Sequence, residues 1–234
     1  MKQGVREHDA DQNKRNDAYE TPNPVLLHVW LIYVGPLLVQ AMIVVVDTET
    51  TALPAFSTAS HEDVALWPRM VSVAWCELKN GPVVPPVQCV ILPDGFTIPA
   101  SSTKIHGISH EDAVNTGTPL DAVLERLVAA LGNEPADVVI CCYNAPFDRG
   151  VLLSEARRQK CNLAYDFLVK CRWQCVMNHV SRLMGWKLHK KLSDAAREVG
   201  VDTTGAQLHT AAGDVTLTLA LMKKIAVLLK KQKN

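Results

Sequence analysis

The chain has 234 residues, 48% of them apolar and 21% charged, which suits one α/β domain with tails and is too short for two large domains. Lysine plus arginine and aspartate plus glutamate each total 24, so the formal net charge is zero. That balance excludes a protein that wraps duplex DNA by bulk charge, and leaves room for one that grips a few nucleotides with cations of its own.

Residues 1–24 are polar, mixed in charge and without hydrophobic period, and are expected to form a disordered tail. Val25 to Val46 then contains no Asp, Glu, Lys or Arg, a length that would cross a bilayer. Against a membrane span, Gly35-Pro36 interrupts the stretch, His28 and Gln40 lie within it, and its last residues are needed for a strand ending at Asp47. Val39-Gln40-Ala41 resembles a signal-cleavage site, but the leading region is long and carries acids as well as bases. The expectation is a hydrophobic extension over 25–41, of no assigned role, ahead of a domain over 42–230. The seven cysteines are scattered, with no CxxC pair, as in a reduced, cytoplasmic chain.

Met42–Asp47 is a continuous apolar, β-branched run, the pattern of a buried central strand. Met70–Cys76 and Val87–Leu92 are further strands, with Asn80-Gly81-Pro82 marking the turn between them. From Pro119 to Leu131 the apolar residues keep a helical period, with Thr118 as the expected cap. Asp137–Tyr143 reads as a buried strand and Pro146–Lys160 as a helix. Further helices are expected over Cys171–Met184, Leu192–Val199 and Ala211–Leu229. On the first of these, Cys171, Cys175 and His179 would share one face, either as zinc ligands or, more simply, as small buried residues. Three strands followed by alternating helix and strand predict an α/β domain on a mixed sheet.

Three segments carry chemistry. Asp47-Thr48-Glu49 ends a central strand, and acids two apart point the same way from extended backbone, a pair suited to Mg²⁺ or Mn²⁺. Tyr143-Asn144-Ala145-Pro146-Phe147-Asp148 joins a buried strand to a helix, with Asp148 in the first turn where the dipole favours an anion and Asn144 available as the cap. His209-Thr210-Ala211-Ala212-Gly213-Asp214 opens the last amphipathic helix. Five helical residues rotate by about 500°, so His209 and Asp214 converge only if His209 stands on the entering loop. Each segment alone also reads as a solvated turn or a routine helix start. Farther on, Arg182, Lys187, His189, Lys190 and Lys191 form a basic run that fits either a phosphate backbone or a solvated face.

In this order and spacing the segments resemble the DEDDh (DnaQ-like) 3′–5′ exonuclease family, which includes the proofreading epsilon subunit of bacterial DNA polymerase III. Val45-Val46-Asp47-Thr48-Glu49-Thr50-Thr51 looks like its first motif, Asn144–Asp148 its second, and His209 with Asp214 its third; Ile98-Pro99 and Ile105-His106-Gly107-Ile108-Ser109 look like its linking loop. The resemblance covers about Met42 to Lys224. It implies a ribonuclease H-like fold, a mixed five-stranded sheet flanked by helices. It implies that Asp47, Glu49, Asp148 and Asp214 hold two divalent cations, Mg²⁺ or Mn²⁺, with His209 as general base. It also implies that Thr50, Leu53, His106 and Phe147 line the pocket for the terminal nucleotide. The implied partner is a single-stranded 3′ end, DNA ahead of RNA, with a DNA polymerase as a candidate protein partner and no membrane. The family often has glycine where this chain has Ala52.

Overall fold

The computed structural model describes residues 41–56, 59–79, 84–205 and 207–232. The 1–24 tail, all of the 25–41 extension but Ala41, and the Asn80-Gly81-Pro82 turn lie outside these residues. All seven cysteines are free. Among the described residues no helix is long and apolar enough to cross a membrane.

Five strands form one sheet in the order β3-β2-β1-β4-β5. β1 (Met42–Thr50), β2 (Met70–Glu77) and β3 (Val87–Val90) run as an antiparallel set. β4 (Val138–Cys142) lies parallel to β1, and β5 (Arg172–Cys175) lies parallel to β4. The sheet is therefore mixed, as expected. Its centre is apolar on both faces because helices cover both, which is why β1 and β4 read as unbroken apolar runs.

Period-two alternation divides those runs. Ile43, Val45, Val139 and Cys141 face one core with α6 (Val176–Met184), α7 (Leu192–Glu198) and α8 (Ala211–Gln232). Val44, Val46, Val138 and Ile140 face the other, against α3 (Leu120–Leu131), α4 (Ala145–Arg158) and α5 (Asn162–Lys170). Leu124, Leu127, Leu152, Leu153 and Leu168 are fully buried in that second layer. Burial of such a side chain stabilises by about 1.5–3 kcal/mol.

Several local expectations are corrected. Residues 172–175 form the edge strand β5, and the helix begins only at Val176. Cys171, Cys175 and His179 thus sit on a turn, a strand end and a helix rather than on one helix face. The reason is tertiary: the free edge of β4 offers backbone groups that 172–175 satisfy, which outweighs a weak local helical pattern. Thr118 does not cap α3; its N–H donates to Val90 O and its carbonyl accepts from Leu92 N–H, in a short bridge that also ends β3 before Ile91, while Pro119 takes the cap position. Asn144 stands at the N-cap of α4 but makes no side-chain cap bond. The 98–109 linking segment is largely helical, as α1 (Ala100–His106), followed by a second short helix, α2 (His110–Thr116).

Two close contacts lock α4 to the segment before β2. Glu155, fully buried, accepts from Arg69 Nε at 3.0 Å and from Met70 N–H at 2.9 Å, and pairs with Arg158 at 2.7 Å. Gly150 lies so near the Trp67 indole that an added Cβ would sit 1.8 Å from a ring carbon. Gly150→Ala must displace the ring, and overpacking of this kind costs about 1–3 kcal/mol. Thermal unfolding is expected to show the loss as a lowered Tm; an unchanged Tm would mean that Trp67 moves freely.

Candidate active site

The carboxyl ends of β1 and β4 meet the first turns of α4 and α8 at one end of the sheet. Asp47 and Glu49 continue the Ile43–Val45 side of β1, towards α8, while Thr48 continues the Val44–Val46 side, towards α4. Register shifts between Glu49 and Thr50, an irregularity that turns the chain out of the sheet where the acids end. Asp214 comes from the first turn of α8, where the helix dipole favours a carboxylate. Carboxylate oxygens of Asp47, Glu49 and Asp214 all lie within 4.8 Å of one another. Among the described residues this is the one group of three or more acids, histidines or cysteines spaced to hold a metal ion.

Asp148 approaches from the opposite face, in the first turn of α4, and is only 3% exposed. Its Oδ1 accepts from the Thr48 N–H at 3.0 Å and the Thr48 hydroxyl at 2.8 Å. In the sequence Thr48 reads only as a spacer between two acids. Its signal there is slight, a short hydroxyl just past the apolar run that ends at Val46.

Burial raises the proton affinity of all four carboxylates, and neighbouring acid charges add to it at Asp47 and Glu49. Burial, then the charges of Asp148, Asp214 and Glu49, hold Asp47 well above the usual carboxylate range. Burial with Asp214 and Asp148 pushes Glu49 up to about 8. Burial raises Asp148 to about 7, against the lowering effect of the Thr48 bonds. Asp214 is raised by burial, partly offset by the His209 backbone bond. None of the four enters an ion pair with a lysine or arginine among the described residues. Crowded, unpaired, oxygen-only donors fit hard divalent cations, which would supply the missing positive charge.

Linkage turns this crowding into a stability prediction. In an unfolded chain such acids release protons near about 4, whereas in the fold Asp148 keeps its proton to about 7 and Glu49 to about 8. Between those limits the folded state binds more protons than the unfolded state, so stability must fall as pH rises. Metal-free protein is expected to lose Tm steadily from about pH 5 to about pH 8. Mg²⁺ or Mn²⁺ should restore more stability at the upper end, about 2.7 kcal/mol at a hundredfold excess over its dissociation constant. A metal-free Tm that rises across this window would contradict the crowding.

His209 precedes α8 with φ 62°, the left-handed region, and its backbone N–H donates to Asp214 Oδ1 at 3.3 Å. Its ring is exposed, so the loop carries it beside the acid rather than along the helix. Gly213 permits this turn, because a Cβ there would meet Gln207 O at 1.8 Å.

The remaining predicted residues are dispersed around the cluster. Thr50 ends β1 and donates its hydroxyl to Ala52 O at 2.6 Å. Ala52 has no positive φ, so the lack of glycine there brings no strain. Leu53 is 80% exposed on the following loop. Phe147, in the first turn of α4, is half-buried against the second core. His106 ends α1, 3% exposed, with Nδ1 accepting from Ile108 N–H at 3.1 Å and Nε2 buried without a hydrogen bond. No described hydrogen bond joins His106 to the carboxylates.

Residues 44–222 match the sequence profile of RNase_T, described as an exonuclease. No curated protein sequence matches the chain. Among solved structures, E. coli exonuclease I in complex with a dT13 oligonucleotide is similar at a TM-score of 0.65 and 17% identity, over 82% of this chain and 42% of that one. Its complex with dA16 gives a TM-score of 0.64 and 18% identity, with the same coverage. A product-bound form gives 0.61 and 16%, over 80% of this chain and 44% of the other. These likenesses establish the fold, and this chain spans about two fifths of the length of exonuclease I.

Proposed function

The chain belongs to the RNase_T exonuclease family, and from that premise we propose that it is a metal-dependent 3′–5′ exonuclease acting on single-stranded 3′ ends, DNA ahead of RNA. The observation that carries this reading is the convergence of Asp47, Glu49 and Asp214 within 4.8 Å, with Asp148 close enough to raise the pKa of both β1 acids. The exonuclease I structures with dT13 and dA16 make single-stranded DNA the first substrate to test.

The four carboxylates would hold two divalent cations, Mg²⁺ or Mn²⁺. When bound, such a pair neutralises the phosphodiester, acidifies a water and stabilises the departing 3′-oxygen. His209, exposed on its loop, is the residue that takes the proton of the attacking water, at an imidazole nitrogen. Phosphorus gains a bond to the water oxygen and loses its bond to the 3′-oxygen, which takes a proton from solvent as the new chain end while the imidazolium returns its own to solvent. Asp214 is steadied by the His209 backbone N–H, and Asp148 by Thr48. Leu53 and Phe147 press on the terminal base and sugar, a contact that tolerates any sequence. Thr50 and His106 complete the pocket for that nucleotide, His106 as a buried residue that supports its wall.

The direct test supplies 3′- and 5′-labelled DNA and RNA single strands with Mg²⁺, Mn²⁺ or EDTA. Stepwise loss of the 3′ label, abolished by chelator, is the expected result, with DNA degraded faster than RNA. Loss from the 5′ end first, or activity undiminished in EDTA, would refute the proposal.

A further inference from the structure

The basic run between α6 and α7 is not a uniform solvated face. Lys190 is committed: its Nζ pairs with Glu198 at 2.6 Å and lies 5.0 Å from the Trp186 ring centroid. His189 Nδ1 is 3.2 Å from the Ser181 hydroxyl. Arg197, farther along, pairs with Asp194. Arg182, Lys187 and Lys191, all exposed, form no ion pair among the described residues. In a chain with zero net charge, three uncommitted cations within ten residues make a local positive field.

The loop that carries them is fixed. Trp186 Nε1 donates to Glu198 at 2.7 Å, and the Tyr143 hydroxyl donates to Lys190 O at 2.6 Å. Tyr143 directly follows β4 and precedes the turn into Asp148, so the second bond docks residues 185–191 against the end of the sheet that holds the carboxylates. On this anchored loop Leu188 is 82% exposed, an apolar side chain held outward between Lys187 and His189. Positive groups flanking an exposed apolar side chain match the alternation of phosphate and base in a single strand. A fixed loop also loses little conformational entropy when a strand binds.

We propose that residues 185–191, with Arg182, bind the backbone of the substrate strand on the 5′ side of the scissile bond. Lys187 and Lys191 each neutralise a phosphate, and Leu188 packs on an unpaired base. This inference rests on the exonuclease reading and adds the path of the strand leaving the carboxylates. Because the contacts are to phosphate, DNA and RNA are held alike here, and any preference between them arises in the terminal pocket.

The test is binding of fluorescein-labelled dT16 and rU16 by anisotropy in Ca²⁺, over a salt series from about 50 to about 200 mM. Lys187→Ala/Lys191→Ala should weaken both strands about tenfold at the lowest salt. The salt slope should fall by about 1.4, at roughly 0.7 for each phosphate no longer neutralised. Lys187→Arg/Lys191→Arg should keep the parent slope, because charge rather than packing is at stake. Parent-like affinity and slope in the alanine pair would overturn the strand path while leaving the exonuclease reading standing. Failure of the parent to hydrolyse labelled 3′ ends with Mg²⁺ or Mn²⁺ would overturn both.

Discussion

Asp47→Asn is expected to lower kcat/KM by at least about 10³-fold, roughly 4 kcal/mol of transition-state stabilisation. Asp47 is buried and feels the charges of Asp148, Asp214 and Glu49 together. Removing its charge weakens the hold on a cation while barely changing volume. The same change relieves repulsion, so metal-free Asp47→Asn protein should melt above the parent at about pH 8. Greater stability together with lost activity is the signature of a site built for a ligand rather than for the fold. Steady-state rates on a labelled single strand and a melting curve in EDTA check both halves. Activity within tenfold of the parent would remove Asp47 from the metal set.

His209→Asn is expected to cost about 10²–10⁴-fold in kcat, the usual contribution of a positioned general base. Asparagine is the informative replacement because φ is 62° at this position, a conformation that it tolerates better than most residues. The bond from His209 to Asp214 is made by the backbone, so the substitution leaves it in place. Mn²⁺ affinity and KM should therefore stay within about threefold of the parent while kcat falls. Weakened metal binding without a selective fall in kcat would make His209 a scaffold for Asp214 instead of a base.

Legibility in the sequence follows the reach of the forces involved. The apolar runs of β1 and β4 and the periodicity of α3 and α8 are local consequences of burial, so the residues alone reveal them. β5 is different: residues 172–175 are only half-buried and too short to show a pattern, and they become a strand because β4 has a free edge. The basic run is visible in the sequence, but not which of its members are already paired, since the bond of Lys190 to Glu198 depends on how the loop folds onto α7. Thr48 is inconspicuous for the same reason, because its partner Asp148 is a hundred residues away.

By itself the sequence determined the strand-end and helix-start positions of Asp47, Glu49, Asp148 and Asp214, since alternation, helix period and turn chemistry are properties of neighbouring residues. The tertiary structure alone decided that Asp214 meets Asp47 and Glu49 on the α8 side of β1 while Asp148 bonds Thr48 on the other. It also decided how strongly the acids hold their protons. Proton affinity depends on burial and on charges distant along the chain, and those distances exist only once the two helical layers close on the sheet.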